Sequence, residues 1–170
     1  MAREECGRLA EIDRGESIRE EYVVRGGVLA LEPCHIDAEG WAPGHLVELI
    51  GRLRDVVDAG GEVVGAFLDG RVIAMAALDP RPIGGDDDVM ELTVLFVDRS
   101  HRGRGIGSAL VRQVARAAEH RGASTLYISA TPTRATVDAY LRMGACLAPV
   151  PDPDHLAAEP LDVHLVLALR

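Results

Sequence analysis

The octapeptide His101–Ser108, HRGRGIGS, is the part of the sequence whose residue types most directly suggest chemistry. Its three glycines follow an apolar run, Leu92–Val97, and precede a helix-like segment that continues from Ala109. Glycines at such a junction let the backbone turn tightly with several N–H groups pointing into one concavity, and the following helix N-terminus adds a partial positive charge. Arg102 and Arg104 supply full positive charges for the same anion. The loop therefore predicts a binding site for a phosphate group.

Other interpretations of this loop are open on the residues alone. The glycines could serve only a tight turn that needs positive φ angles. A Walker phosphate loop requires Gly-Lys-Ser/Thr and is excluded, because all eighteen basic residues of the chain are arginine. A dinucleotide fingerprint would place Ser108 at its third glycine and lacks the surrounding βαβαβ pattern.

The segments around the loop have the periodicities of strands and helices. Apolar residues at helical spacing, each run closed by glycine, predict helices at Leu46–Val57, Ile106–Ala117 and Val137–Leu141. Apolar β-rich runs predict strands at Glu62–Leu68, Arg71–Leu78, Val89–Val97, Thr125–Ile128 and Val163–Leu169. The Asp69-Gly70 pair joins the first two strands as a hairpin. This order predicts an α+β (mixed α/β) fold with few parallel crossovers and not a doubly wound sheet.

The remaining segments have weaker patterns. Tyr22–Val24 and Val28–Leu31 predict an early hairpin around a Gly-Gly turn. We expect a short helix or turn at Glu11–Glu20 and irregular structure at Cys34–Gly44. Two further stretches, 80–88 and the proline-rich 149–160, are predicted to be loops.

Length and composition limit the class of protein. We expect one domain over residues 1–170, because 170 residues suffice for one core and are few for two. A net charge of −9 opposes nucleic-acid binding, which depends on cations that neutralise phosphates. The charged start and the absence of long apolar runs predict a soluble cytoplasmic protein without membrane contact. The three scattered cysteines indicate neither disulfides nor a zinc site, and the histidines lack the spacing of metal ligands. The high content of Arg, Ala and Gly suggests a bacterial source.

The glycine loop and its flanks resemble the GCN5-related N-acetyltransferase (GNAT) family. Residues 102–107, RGRGIG, match the family's pyrophosphate pattern Gln/Arg-x-x-Gly-x-Gly/Ala at every fixed position. Residues 91–97 resemble the family's fourth strand, and 133–145 resemble its second motif, in which Tyr140 is followed four residues later by glycine. Two motifs in the family's order are more specific than either alone, and the resemblance spans roughly residues 62–148.

The resemblance implies a mostly antiparallel, centrally splayed mixed sheet flanked by helices, with acetyl-CoA as the cofactor. It implies that Leu95, Phe96 and Val97 offer the strand edge that pairs with the pantetheine arm, and that the Val97 N–H donates to the thioester carbonyl. It also implies that Thr133 and Thr136 contact this arm. The residues implied to hold the pyrophosphate are Arg102, Gly103, Arg104, Gly105, Ile106, Gly107 and Ser108.

The resemblance also implies roles for two titratable side chains. Tyr140 occupies the family's usual position for the acid that protonates the leaving thiolate, although a core tyrosine on an amphipathic helix would look the same. Glu91 lies where several members place a general base, and it is one of few charges in an apolar strand. A wet sheet face would equally explain it, and a water chain could serve as the base.

These observations predict transfer of the acetyl group from acetyl-CoA to a primary amine of a small or amino-acid-like molecule by direct attack on the thioester. The second motif departs from the family, with Thr133 for Asn, Thr136 for Ala and Ala145 for an aromatic residue. A non-catalytic acyl-CoA-binding regulatory module is therefore an alternative, and a protein N-terminal acetyltransferase is another. Asp86–Asp88 are typical of a solvated charge run, or they could form an acidic rim with Asp152, Asp154 and Glu159 that attracts a cationic amine. A free sheet edge would allow a homodimer.

Overall fold

Strands and helices alternate along the part of the chain that the computed structural model describes, residues 1–169. The strands are β1 (Glu16–Arg25), β2 (Val28–Ala38), β3 (Glu62–Leu68), β4 (Arg71–Asp79), β5 (Val89–Val97), β6 (Thr125–Ala130), β7 (Cys146–Leu147) and β8 (Val163–Ala168). The α-helices are α1 (His45–Asp58), α2 (Ile106–His120), α3 (Arg134–Arg142) and α4 (Pro153–Ala158). Two 3₁₀ helices, Arg3–Glu11 and Arg99–His101, complete the elements. Within residues 1–169, no helix combines the length and the apolar character needed to span a bilayer.

Six strands form a mixed sheet in the order β3-β4-β5-β6-β8-β7. All neighbours in this sheet are antiparallel except β5 and β6, which run parallel. The parallel step needs the long crossover that α2 provides between these two strands. The predicted α+β class with a mixed sheet is confirmed, while β1 and β2 form a separate two-stranded antiparallel sheet.

The sheet opens in its centre. β5 pairs with β6 only over Val89–Glu91, which face Thr125–Tyr127. Beyond Glu91 the two parallel strands have no further register, although β5 continues to Val97 and β6 to Ala130. The splayed sheet implied by the resemblance is therefore confirmed.

A β-bulge at Thr93 changes the side chains that β5 presents to each layer. The register with β4 shifts between Val94, opposite Ala77, and Leu92, opposite Leu78, so Thr93 is the extra residue. Leu92 and Leu95 both pack in the core under α2, while Val94 packs in the core under α1. The bulge lies where the sheet opens, and it reverses the face to which each later residue of β5 points.

The sheet separates two apolar cores. One face packs against α2 and α3, with Leu110, Val114 and Val137 fully or almost fully buried. The other packs against α1 and the first 3₁₀ helix, with Leu53 and Leu9 fully buried. The helical spacing of apolar residues in the sequence thus predicts correctly which face of α1 and of α2 is buried, because the opposite face of each helix is exposed to solvent.

Three predicted segments are wrong in type or extent. Residues 11–20 contain the start of β1, and the segment predicted to be irregular from Cys34 continues as β2 to Ala38. The hairpin predicted at Tyr22–Val24 and Val28–Leu31 is confirmed as the part of β1 and β2 beside the turn. The outer ends of the two strands were missed because they are held by cross-strand ion pairs, such as Arg19 with Asp37 at 2.8 Å, and lack the apolar alternation that predicts a strand. The proline-rich loop 149–160 contains α4, whose first turn is capped by Asp152.

Candidate functional site

A cleft of about 1430 Å³ follows the opening of the sheet. The exposed edge of β5 forms one wall, and the end of β6 with the start of α3 forms the opposite wall. The glycine loop closes one end, while Trp41, Leu49 and the segment 159–162 line another part of the cleft. The predicted cofactor-binding segments from β5, the loop and α3 therefore meet around one cavity.

The glycine loop forms an anion-binding end of this cleft. Gly103 and Gly105 have φ angles of 74° and 78°, in the left-handed region that glycine adopts without steric cost. Gly105 is the N-cap of α2, and within residues 1–169 no side chain caps this helix. The first-turn amides, including those of Ile106 and Gly107, have no acceptor inside the helix. The loop therefore presents unpaired donors and the positive end of the helix dipole to the cleft.

The side chain of Arg102 makes several contacts within the protein. Its Nε donates to the Val97 carbonyl at 3.1 Å, and one terminal nitrogen donates to the Arg14 carbonyl at 3.0 Å. The other terminal nitrogen lies 3.4 Å from a carboxylate oxygen of Glu16. The role of this guanidinium toward the anion stays a prediction, and it has to compete with the bonds that fasten the loop to β5 and to the start of β1.

Arg104 differs from Arg102 in its contacts. Its side chain is exposed and makes no hydrogen bond or ion pair with any residue of 1–169. It is therefore the arginine of the loop whose charge is free to act on an anion outside the protein.

The residues before the loop are anchored by Asp98. This buried carboxylate accepts hydrogen bonds from the Asp13 amide at 3.1 Å and from the Ser100 hydroxyl at 2.6 Å. Burial opposes its ionisation, but these bonds and one from His101 outweigh it and hold the pKa of Asp98 well below its usual range. Ser100 and Asp98 contact the same ring nitrogen of His101, so the three side chains do not form a catalytic triad.

The open edge of β5 presents alternate residues to the cleft. The Asp98 N–H donates to the Ile73 carbonyl of β4 at 2.9 Å, so Asp98 and Ile73 form a hydrogen-bonded pair. Such pairs alternate along an antiparallel ladder, so the next pair, Val97 and Ala74, has no backbone hydrogen bonds between its two residues. The N–H groups of Val97 and, two residues earlier, Leu95 therefore point away from β4, into the gap left by β6. Phe96 lies between these two residues, and its backbone N–H and C=O point the other way, toward Met75 of β4.

The start of α3 forms the opposite wall of the cleft. Thr133 is its N-cap, with the hydroxyl accepting from Thr136 N at 3.2 Å and donating to the Thr136 hydroxyl at 3.0 Å. The predicted contact of Thr133 with the cofactor arm has to compete with this capping. The Thr136 hydroxyl keeps its own donor for a ligand.

Tyr140 lies further along α3 and lines the cleft with 6% of its surface exposed. Burial raises the pKa of its hydroxyl well above the usual range. No residue in 1–169 hydrogen-bonds to this hydroxyl, and the tyrosine is protonated at neutral pH. Such a group can donate a proton but cannot act as a base.

Glu91 lies in a smaller cavity of about 180 Å³ that shares Thr93, Arg52 and Glu159 with the cleft. Its carboxylate is 3.5 Å from Nε2 of His155, whose Nδ1 is 2.7 Å from Asp152. Contact with Glu91, followed by that with Asp152, raises the pKa of His155 to about 9 against the effect of burial. Glu91 therefore faces a protonated imidazole.

Two parts of the cleft were not identified from the sequence. The first is an aromatic group in which Trp41 packs edge-on against Phe96, with 4.9 Å between the ring centroids. The Arg14 guanidinium lies over both rings. The second is Asp162, a half-buried carboxylate directly before β8. Neither gives a sequence signal, because Arg14 and Trp41 lie in segments without a clear periodicity and Asp162 follows a loop rich in acids.

The predicted acidic rim is only partly assembled. Glu159 lines the cleft, whereas Asp86, Asp87 and Asp88 are exposed in a separate loop. Asp154 is exposed as well, and Asp152 is held by His155. The negative charge that reaches the cleft near α4 therefore comes from Glu159 and Asp162.

A model of the acetyltransferase (GNAT) family matches residues 29–145. None of the curated protein sequences compared with the chain is significantly similar to it. Among solved structures, a nourseothricin acetyltransferase is 18% identical with a TM-score of 0.74, over 100% of this chain and 96% of that one. The PaiA N-acetyltransferase from Thermoplasma acidophilum, in complex with coenzyme A, is 14% identical with a TM-score of 0.63, over 99% and 95% of the two chains. An aminoglycoside 6'-N-acetyltransferase, also with coenzyme A, is 15% identical with a TM-score of 0.57, over 75% and 81%.

Proposed function

Because the chain belongs to the acetyltransferase (GNAT) family and is an acetyl-CoA-dependent N-acetyltransferase, we propose that it acetylates a primary amine of a small-molecule acceptor. The observation that carries the proposal is the open edge of β5, whose Leu95 and Val97 N–H groups point into the cleft. A ligand arm lying along this edge would find the donors that β6 leaves unpaired.

The residues present fit CoA. The pyrophosphate would be held by the amides of residues 102–108, because the N-terminus of α2 is uncapped and Gly103 and Gly105 turn the loop backbone. Arg104 does not line the cleft, but it is exposed between the lining residues Gly103 and Gly105 and adds a positive charge beside this end; Thr136 offers a hydroxyl on the opposite wall. When bound, acetyl-CoA supplies a thioester carbonyl to be attacked and a thiolate to be released.

The chain's own groups then have separate tasks. The Val97 N–H would donate to the carbonyl oxygen as negative charge develops there, and its direction is fixed by the β4–β5 ladder. Tyr140, which keeps its proton at neutral pH, would give that proton to the departing sulfur. Both groups lie on the walls of the same cleft.

The acceptor class is supported by the character of the cleft. Asp162 places negative charge in the cleft beside the balanced Arg52–Glu159 pair, and an ammonium group would be attracted there. The similar structures include proteins described as acetyltransferases of nourseothricin and of aminoglycosides, which are small amine-bearing molecules. The resemblance implies Glu91 as the base, but the protonated His155 beside it balances its charge.

Two measurements test the proposal. Calorimetry should find saturable acetyl-CoA binding in the micromolar range, and thiol release should be seen with at least one member of a panel of small primary amines. Binding without thiol release for any amine would instead support a non-catalytic acyl-CoA-binding module. Acetylated peptide N-termini with unmodified small amines, seen by mass spectrometry, would support protein N-terminal acetylation.

A further inference from the structure

The carboxylate of Asp162 is a charged group of the cleft to which no catalytic role has been assigned. Its backbone is held in place, because its N–H donates to the Glu159 carbonyl at 3.1 Å. The next residue, Val163, is 1% exposed and pairs with Ala130 at the end of β6. The backbone of Asp162 is therefore fixed beside the cleft, which this residue lines along with Pro160 and Leu161.

Asp162 differs from the other acidic side chains that line the cleft. Four of these are paired with a positive or hydroxyl group: Glu16 with Arg102, Glu20 with Arg134, Asp138 with Tyr22, and Glu159 with Arg52. Glu39 also lines the cleft but is exposed. Within residues 1–169 the half-buried Asp162 carboxylate makes neither a hydrogen bond nor an ion pair. It is free to bind or exchange a proton with a ligand.

The charges that face Asp162 do not neutralise it. Glu159, at the end of α4, and Arg52, on α1, are the charged groups that act on it. The Arg52 guanidinium lies 3.3 Å from Glu159, so its positive charge is already compensated. Burial, with a further contribution from Glu159, raises the pKa of Asp162 to about 6. A carboxylate of this kind is ionised at neutral pH and binds a proton more readily than an exposed one.

We propose that Asp162 is the general base that deprotonates the acceptor's ammonium group, an inference that rests on the proposed N-acetyltransferase function. In this step an N–H bond of the ammonium breaks and an O–H bond forms on Asp162, leaving a neutral amine with a free electron pair. The proton then passes from Asp162 to water in the cleft, which restores the carboxylate. Glu91 is less suited to the step, because it lies in the side cavity and already faces the protonated His155.

The test compares pH profiles of kcat/KM for the wild-type enzyme, Asp162→Asn, Asp162→Glu and Glu91→Gln, with an alkylamine acceptor. The wild-type value should rise up to about pH 6 and then level, because Asp162 must be ionised. Asp162→Asn should lose about 100-fold or more at pH 7. Its residual activity should rise about tenfold per pH unit toward the amine pKa of about 10, because only the free amine then reacts. Asp162→Glu should recover part of the activity and the level profile.

A matched control and a readout independent of turnover complete the test. Asp154→Asn removes the same charge from an exposed position on α4 and should keep the wild-type profile. Carbon-13 NMR should show a carboxyl group that titrates near pH 6 in the wild-type protein and is missing in Asp162→Asn. Calorimetry should find the same acetyl-CoA affinity in both proteins.

The outcomes separate the inference from the function on which it rests. A wild-type protein that acetylates no amine overturns both. An active wild-type protein whose Asp162→Asn variant keeps its rate and level profile overturns the role of Asp162 alone. The same conclusion follows if Glu91→Gln, and not Asp162→Asn, produces the steep profile.

Discussion

The two arginines of the glycine loop should respond differently to the same substitution. Arg102 uses its guanidinium within the protein, bonding to the carbonyls of Val97 and Arg14 and pairing with Glu16. Arg104 makes no such contact within the described residues. Replacing each by glutamine removes one positive charge at almost the same place. Comparing the two variants therefore distinguishes a residue that holds the loop in place from one that attracts an anion directly.

The expected magnitude for Arg102→Gln follows from its contacts. Hydrogen bonds from a charged donor contribute about 1.5–3 kcal/mol each when buried, but this side chain is 35% exposed and is screened by water. We therefore expect a loss of about 1–2 kcal/mol in the free energy of unfolding, or about 2–8 °C in Tm. Acetyl-CoA should bind about tenfold more weakly because its cradle is displaced. Arg104→Gln should leave Tm unchanged and weaken binding by a factor that shrinks as salt is added.

Differential scanning calorimetry and titration calorimetry at low and high salt measure these effects. Arg112→Gln is a control for the loss of one charge, because Arg112 is exposed like Arg104 but lies further along α2, beyond the glycine loop; it should keep both the Tm and the affinity. The reasoning is refuted if Arg102→Gln keeps the wild-type Tm while its binding defect is larger than that of Arg104→Gln and salt-sensitive. In that case the Arg102 guanidinium would contact the anion directly.

Three further predictions concern the acid, the loop backbone and the side cavity. Tyr140→Phe should lower kcat about 100-fold with unchanged acetyl-CoA affinity, and a wild-type kcat across the pH range would remove Tyr140 from the mechanism. Gly105→Ala should cost about 1 kcal/mol, because its φ of 78° strains any side chain, whereas Gly107→Ala should cost little; equal Tm values for the two would contradict this. The pKa of His155 is raised to about 9, so its stabilisation is complete below about pH 6.5 and lost as the pH rises through 9. His155→Gln should therefore lower Tm by about 4–8 °C at about pH 6 and have little effect at about pH 10, and a pH-independent loss would show a packing role instead.

The sequence predicts the loop and its flanking elements well because their signals are local. The bounds of β5 are predicted correctly, and Asp69-Gly70 forms the expected turn, with Asp69 and Gly70 both at positive φ. The glycine and helix periodicities depend only on neighbours in the chain, so they survive whatever packs around them.

The parts that the sequence does not predict depend on distant partners. Arg102 is bound by carbonyls 5 and 88 residues away, and no local pattern reveals that its charge is already used. The pKa of Asp162 is raised by its burial and by Glu159, and Arg52 of α1 does not offset this because it is already paired with Glu159. The sequence predicts the β1–β2 hairpin only beside its turn, because the outer ends of the two strands are supported by ion pairs between strands, which a search for apolar alternation does not detect.

Arginine or histidine supplies the cation of each ion pair described above, since the sequence contains no lysine. A guanidinium stays protonated at physiological pH and is not a nucleophile toward a thioester, whereas a lysine amine with a lowered pKa would be one. The side chains of this enzyme therefore offer its own acetyl donor no primary amine. The protein can therefore hold a reactive thioester with no lysine to modify, so acetylation cannot remove a lysine's positive charge from it.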